Sequence, residues 1–337
     1  MTRTRTEHHP SRVVAAFSAA ALVAAGAITL VAASSAARAD LPLTDCGQVD
    51  FTLSPDMNGD GRGEIILVSA SAHKGLEIIP VTAAGEPGIG STVATDHDFS
   101  ASKVYGPGDW NGDGKADIVE VDQAGYMWLW PGDGNNGLGS RVEIGHGWKP
   151  FRIIPAGDLT QDGANDLLAI DKQGRLWLYY GSGRGGFKGT PRQVGQGWVG
   201  LELYAAGDLN GDRKNDILAI LPDGTLWAYQ GRGNGTFGVP KQVGRGWGTF
   251  KLAAGADLNG DGRADIVGQD TVRTKDIYHS EDYLYYYRGN GGGSFQAPKI
   301  IMQRIGYYPH CEVFMGPAWD NISISPTASP GRYPWGN

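Results

Sequence analysis

Short apolar runs alternate with polar, glycine-rich turns along the chain from residue 46 to residue 325. The runs are four to seven residues long, and examples are YMWLW at residues 126–130 and LWLYY at residues 176–180. Within residues 46–325, apolar residues do not recur with the 3.6-residue period of a helix. Runs of this length bounded by Gly, Asn and Asp are typical of strands, so the pattern predicts an all-β protein.

One nonapeptide, D-x-[N/T]-x-D-x-x-x-[D/E], occurs five times, beginning at residues 56, 109, 158, 208 and 257 with spacings of 53, 49, 50 and 49 residues. Each copy lies between two apolar runs, and an aromatic run and a fourth short run follow. Four strands in every 49 to 53 residues are typical of a β-propeller blade. The repeat predicts five four-stranded blades; six or seven blades with degenerate terminal units are the alternative.

The nonapeptides place side-chain oxygens at positions 1, 3, 5 and 9. Such a density of carboxylates indicates a bound cation, and Ca²⁺ accepts six to eight oxygen ligands in flexible geometry. Glycine occupies position 6, where a calcium loop turns sharply, in four copies: Gly61, Gly114, Gly163 and Gly262. An EF-hand would also need Glu at position 12, which only one copy has, as Glu120. Exposed Asx turns are the alternative interpretation.

With these loops, the chain resembles the FG-GAP/VCBS repeat family, the calcium-loop propellers of integrin α heads and of many secreted bacterial proteins. The resemblance implies a loop between the two innermost strands of each blade and up to five bound Ca²⁺. It implies side-chain ligands at positions 1, 3, 5 and 9 and a backbone carbonyl at position 7. Blade by blade, these ligands are Asp56, Asn58, Asp60, Arg62 and Glu64; Asp109, Asn111, Asp113, Lys115 and Asp117; Asp158, Thr160, Asp162, Ala164 and Asp166; Asp208, Asn210, Asp212, Lys214 and Asp216; and Asp257, Asn259, Asp261, Arg263 and Asp265.

Two loops depart from the pattern of the family. Thr160 offers only a hydroxyl at position 3 of the third loop, and Arg213 replaces glycine at position 6 of the fourth loop. A positive φ at Arg213 would be strained. We expect these two loops to bind calcium more weakly.

Residues 1–39 read as a secretory signal peptide, with early arginines, an apolar stretch and an A-x-A site at Ala37 to Ala39. An uncleaved membrane anchor is the alternative. Cleavage would leave a secreted, extracellular chain from Asp40 without a membrane span, with a propeller over residues 40–325 and a flexible tail over residues 326–337. It would remove four Arg and one Glu and lower the formal net charge from -7 to -10. A chain this acidic is a poor nucleic-acid binder.

The two cysteines, Cys46 and Cys311, lie near opposite ends of the mature chain. Outside the cell, an even pair predicts a disulfide, and two unrelated buried thiols are the alternative. The segment beginning at Cys311 resembles the first strand of a repeat without its loop. We expect it to overlie or pair with the N-terminal strand and to close the ring.

Composition and motifs favour a binding module over an enzyme. Glycine contributes 53 of 337 residues, but 41% hydrophobic content argues against disorder. No G-x-S-x-G, H-E-x-x-H or P-loop motif occurs. The G-x-G-W segments ending at Trp148, Trp198 and Trp247 resemble the repeat of tachylectin-type sugar-binding propellers, which implies sugar stacking.

These tryptophans could instead pack between blades. The mid-strand aromatic residues Trp128, Trp177, Trp227 and Tyr285 are expected in the core. A glycan or an extracellular protein is the expected partner, with a calcium-stabilised adhesion scaffold as the alternative function and a polysaccharide-active enzyme less favoured. Oligomeric state stays open.

Overall fold

The computed structural model describes residues 50–68, 75–88, 90–93, 96–273, 279–307 and 310–315. Within these residues, 21 β-strands form five antiparallel sheets. The predicted signal peptide, Cys46, the side chain of Cys311 and the predicted tail lie outside the residues so described. None of the described segments is a helix long and apolar enough to cross a bilayer.

Each sheet is one blade, built from strands that are consecutive in the chain. Blade 1 contains β1 (Asp50–Ser54), β2 (Glu64–Val68), β3 (Leu76–Pro80) and β4 (Ser91–Thr92); blade 2 contains β5 (Lys103–Gly108), β6 (Asp117–Val121), β7 (Met127–Trp130) and β8 (Val142–Gly145). Blade 3 contains β9 (Arg152–Gly157), β10 (Asp166–Ile170), β11 (Leu176–Gly181) and β12 (Phe187–Gly195); blade 4 contains β13 (Glu202–Gly207), β14 (Asp216–Ile220), β15 (Leu226–Tyr229) and β16 (Lys241–Gly244). Blade 5 contains β17 (Lys251–Ala256), β18 (Asp265–Arg273), β19 (His279–Tyr287), β20 (Lys299–Tyr307) and β21 (His310–Met315).

The five blades close into a ring. The first strand of each blade contacts the first strands of its two neighbours, in the order β1, β5, β9, β13, β17 and back to β1. These five strands therefore surround the central axis, and the predicted five-blade propeller is confirmed.

The predicted pairing between the chain ends is wrong. In the fifth sheet, β21 pairs antiparallel with β20, with Cys311 opposite Gly306. At the other end of the chain, β1 pairs with β2, with Phe51 opposite Leu67. Because no described strand is exchanged between the first and last sheets, packing rather than strand pairing joins blade 5 to blade 1.

Apolar side chains fill the five spaces between adjacent blades. The second strand of each of the first four blades is buried over its whole length. Five buried clusters result, and each draws its members from two neighbouring blades. A strand in this position has no solvent-facing side, which explains why runs such as DLLAI lack strict apolar and polar alternation.

Connections of two kinds lie at opposite ends of the ring. The acidic nonapeptides join the first and second strands of every blade, as the family resemblance implied. The turns between second and third strands lie at the other end, next to the G-x-G-W segments. A central cavity of about 480 Å³ opens at this second end, between the starts of the five first strands.

Candidate metal loops and a ligand pocket

The five acidic loops share one network of backbone hydrogen bonds. The position-1 carboxylate accepts the N–H groups of positions 5 and 6, and in the first loop Asp60 N and Gly61 N both lie 2.9 Å from oxygens of Asp56. The same two bonds recur in the other four loops. In every loop, the position-5 carboxylate also accepts the N–H of position 7. The loops thus share one backbone conformation over positions 1 to 7.

The sharp turn at position 6 needs a positive φ. Glycine supplies it in four loops, and in the fourth loop Arg213 adopts φ 63°. Gln161, at position 4 of the third loop, has φ 57° where the other loops have glycine. The strain predicted at Arg213 is therefore present, and the third loop carries a comparable strain.

Position 9 is the most buried acidic position of each loop. In all five loops, this carboxylate accepts the N–H of position 2. In blades 2 to 5, it also accepts the N–H of a glycine at or just after the end of the third strand, and these glycines are Gly132, Gly181, Gly231 and Gly289. A Cβ on any of the four would overlap the backbone carbonyl of position 8. Only glycine permits this approach.

The first loop departs from the other four at two linked positions. Position 9 is Glu64 rather than Asp, and Val81 stands where the other blades have the glycine. Glu64 is fully buried, and its Oε2 accepts Met57 N–H at 2.7 Å. Its Oε1 is buried without any hydrogen-bond partner. Carboxylate oxygens of Glu64, Asp56 and Asp60 lie within 4.8 Å of one another, a grouping suited to a metal ion.

Burial raises the pKa values of the position-9 carboxyls. For Glu64, desolvation is the largest cause, the neighbouring Asp56 and Asp60 add to it, and the pKa is about 7. Desolvation likewise raises the pKa values of Asp216 and Asp265 to about 6. These groups lie in sites whose own side chains do not neutralise them fully, and a divalent cation would favour their charged forms.

Several loops carry local partners that compete for the same oxygens. Arg62 lies 2.6 Å from Asp60 in the first loop, Lys188 Nζ lies 2.9 Å from Asp162 in the third, and Arg288 lies 2.7 Å from Asp261 in the fifth. In the fifth loop, Asn259 Nδ2 also donates to Asp265, which accepts the Tyr286 hydroxyl as well. In the fifth site, both Asp261 and Asp265 therefore already have side-chain partners within the protein.

The tryptophans of the G-x-G-W segments lie between blades. Trp148, Trp198 and Trp247 are 6%, 9% and 4% exposed. Each contacts an aromatic ring of the next blade, and Trp247 lies 4.9 Å from Tyr287 between ring centroids. This placement favours packing over sugar stacking for all three.

The mid-strand tryptophans are more accessible than the sequence predicted. Trp128, Trp177 and Trp227 are half-buried rather than enclosed in the core. The indole N–H of Trp177 donates to Asp171 at 2.9 Å, in the turn between β10 and β11, and that of Trp128 donates to Asp122 at 3.0 Å. Tyr285 is half-buried as well, so the expectation of a fully enclosed core position was wrong for all four residues, although Trp128 and Tyr285 pack against buried clusters. The sequence pattern placed these residues on a strand but did not indicate that one part of each ring is exposed.

One of these indoles lines a pocket. A cavity of about 330 Å³ on blade 3 is bordered by apolar and polar side chains that include Phe151, Asp171, Gln173, Arg175, Trp177 and Tyr179. The guanidinium of Arg175 lies 5.3 Å from the Trp177 ring. In blade 2, the guanidinium of Arg141 lies closer to its indole and covers the Trp128 ring at 4.1 Å from the centroid. Aromatic faces beside hydrogen-bonding groups are suited to a ligand with both apolar and hydroxyl surfaces.

Comparison with known families agrees with this geometry. The FG-GAP-like repeat model matches residues 109–169, 158–219 and 208–268, and each match runs from one acidic loop past the next. Residues 109–268 are therefore FG-GAP-like repeats within a five-blade β-propeller. No curated protein sequence matches it significantly.

Solved structures similar to this propeller have low sequence identity. One, described as an Agrocybe aegerita lectin in a study of non-reducing terminal N-acetylglucosamine recognition, is 19% identical, has a TM-score of 0.44, and covers 75% of this chain and 79% of that chain. Another, the BP39L lectin from Burkholderia pseudomallei, is 15% identical, has a TM-score of 0.42, and covers 75% of this chain and 70% of that chain.

The one glutamate at position 12 of a loop has a structural role in this propeller. Glu120 is fully buried, and it accepts Ser102 Oγ at 2.5 Å and Trp130 Nε1 at 2.8 Å. His97 Nε2 lies 2.7 Å from the same carboxylate, and Arg141 lies 3.4 Å away. The cluster joins the segment that leads into blade 2 to the sheet of that blade.

Proposed function

We propose that this protein is a secreted, non-catalytic propeller that binds carbohydrate in the blade 3 pocket and is stabilised by calcium in its acidic loops. The pocket carries the first part of this proposal. It combines the half-buried indole of Trp177 and the ring of Tyr179 with the side chains of Asp171, Gln173 and Arg175. An indole face stacks on the apolar face of a pyranose, and the polar groups around it can bind hydroxyls.

The test is a glycan array on calcium-loaded protein, followed by titration of the best glycan. Trp177→Ala is expected to weaken binding about fivefold or more, since a desolvated aromatic anchor commonly contributes more than 1 kcal/mol. Trp128→Ala is the matched control, because Arg141 covers that indole, and it should keep wild-type affinity. Equal losses in both variants, or an array without any bound glycan, would refute sugar binding at this pocket.

The unpaired oxygen of Glu64 supports calcium binding. A fully buried carboxylate oxygen without a donor is costly, and a cation shared with Asp56 and Asp60 would satisfy it. The oxygen-rich, His-free and Cys-free ligand set suits calcium rather than zinc. A ligand bound only by the native state raises stability by mass action. Thermal unfolding should therefore shift upward with calcium relative to excess chelator, and identical midpoints would contradict the proposal.

The N-terminal pattern supports secretion. A basic start, an apolar stretch and the A-x-A site before Asp40 are typical of a cleaved signal peptide. N-terminal sequencing of protein recovered from culture medium should begin at Asp40. Protein that stays with the cells and begins at residue 1 or 2 would contradict it.

A further inference from the structure

A repeated backbone hydrogen bond joins four of the five pairs of neighbouring blades. It runs from the turn after the third strand of one blade to the position-2 carbonyl of the acidic loop in the blade before it. The bonds are Asn136 N to Met57 O at 3.1 Å, Gly185 N to Trp110 O at 3.3 Å, Gly235 N to Leu159 O at 2.9 Å and Gly293 N to Leu209 O at 2.7 Å.

The seam between blade 5 and blade 1 lacks this bond among the described residues. Gly85 occupies the equivalent position in blade 1, but its N–H donates to Thr82 O within its own turn. The first acidic loop makes the contact instead, because Gly63 N donates to Asp257 O of the fifth loop at 2.7 Å. A Cβ at Gly63 would lie 2.7 Å from Ala256 Cβ. The first loop is thus pressed directly against blade 5.

The same loop has the one position-9 carboxylate in the ring that is left half-satisfied. In blades 2 to 5, both oxygens of this carboxylate accept backbone N–H groups. In blade 1, Val81 replaces the donating glycine, and Oε1 of the longer Glu64 stays without a donor. Among the described residues, Asp56, Asp60 and Glu64 also form the acidic group in which one carboxylate oxygen of each residue lies within 4.8 Å of the others.

We propose that the first acidic loop is the tightest calcium site of the ring and that the ion bound there closes the seam between blades 5 and 1. This inference rests on the proposed calcium binding and names the loop that dominates it. The other four position-9 carboxylates already have two backbone partners each, so an ion adds less at those sites. At the first loop, Arg62 lies 2.6 Å from Asp60, but Oε1 of Glu64 has no partner. An ion there supplies that partner, neutralises the remaining charge of the three converging carboxylates and fixes the backbone around Gly63.

Removal of calcium should therefore weaken one of the five interfaces between blades, the seam between blades 5 and 1. Without calcium, Oε1 of Glu64 stays buried without a partner, and Asp56 and Asp60 repel each other. Both effects act on the loop that contains Gly63, at the seam that lacks the repeated bond. The first event on chelation is then local opening between β1 and β17. The other four interfaces keep the repeated bond and open later, whereas the backbone bond of the seam, from Gly63 N to Asp257 O, begins in the loop that has lost its ion.

The experiment measures calcium titration and hydrogen exchange on the full mature chain. Glu64→Gln preserves shape and can still accept Met57 N–H, and it should weaken the tightest binding step about tenfold or more, since ligand charge sets affinity in calcium loops. Asp60→Asn provides a second variant at an exposed position, where folding is not at risk. Asp212→Asn, at the same position of the fourth loop, is the matched control and should leave the tightest step unchanged.

Hydrogen exchange supplies a readout that is independent of affinity. In wild-type protein, calcium should slow exchange most in peptides covering residues 55–68 and 250–260, and Glu64→Gln should lose that protection. If calcium binds but Asp212→Asn is as damaging as Asp60→Asn and Glu64→Gln, the inference is overturned while calcium binding stands. If millimolar calcium binds no loop, the proposed calcium role fails and this inference fails with it.

Discussion

Replacement of Trp247 by alanine tests whether the G-x-G-W tryptophans hold the blades together. Trp247 is 4% exposed, and its ring lies 4.9 Å from Tyr287 and 5.2 Å from Phe250. Both neighbours belong to the blade 5 side of the interface. Alanine leaves a cavity between two blades that neither blade can fill alone.

The magnitude follows from what the indole contributes. Truncation of a buried tryptophan to alanine costs about 3–5 kcal/mol through lost burial and the cavity. Trp247 Nε1 is buried without a hydrogen-bond partner, so no hydrogen bond is lost with it. Relief of an unpaired donor offsets about 1 kcal/mol or more, which places the expected loss near the lower limit, at about 3 kcal/mol. For a chain of this size, the midpoint should fall by roughly 6 °C or more.

Urea and thermal unfolding of calcium-saturated protein measure this loss. Val239→Ala is the control, because Val239 is 86% exposed and its truncation should change stability little. Glycan affinity is measured on the same samples well below the midpoint, where Trp247→Ala should bind as the wild type does. A variant with wild-type stability that has lost glycan binding would refute the packing argument and restore the stacking interpretation.

Two further predictions concern buried carboxyl groups. In chelator, stability should fall as the pH rises from about 5 to about 7, because native Glu64, with a pKa of about 7, retains a proton that the unfolded chain releases near 4.5; urea midpoints measure this, and a rise over that interval would contradict it. Glu120→Ala should cost about 3 kcal/mol or more, because Trp130 and Arg141 lose a buried acceptor. Urea unfolding measures that cost, and a loss below about 1 kcal/mol would show that the cluster around Glu120 contributes little.

The sequence predicted the fold well because repetition multiplies weak local signals. A single D-x-N-x-D stretch is an ordinary turn, but five copies at nearly constant spacing fix both the number of blades and the position of each loop. The positive φ at Arg213 could also be predicted, since glycine occupies the same position in the other four loops. The loop positions and the φ angle at Arg213 depend on local backbone geometry, and they can therefore be predicted from the local sequence.

Exposure of the aromatic residues could not be predicted in the same way. Alternation along a strand separates the two sides of a sheet, but in a propeller both sides pack against neighbouring blades. Whether Trp177 or Trp198 is enclosed depends on how far two blades diverge near the turns, which involves residues of different repeats. The exchange of glycine for Val81 was visible in the sequence, yet its link to Glu64 required the strand pairing of blade 1.

The proposed calcium and sugar sites lie at opposite ends of the same strands. In blade 3, the acidic loop ends at Asp166, where β10 begins, and the turn that carries Asp171 follows Ile170, where β10 ends. Asp166 and Asp171 are therefore separated by roughly 16 Å, because they are five residues apart and each residue advances about 3.3 Å. An ion in the third loop therefore cannot coordinate a sugar in the pocket. Calcium can affect sugar affinity only through the stability of the ring, so glycan titrations with calcium and with chelator should agree well below the unfolding midpoint and diverge as the seam between blades 5 and 1 opens.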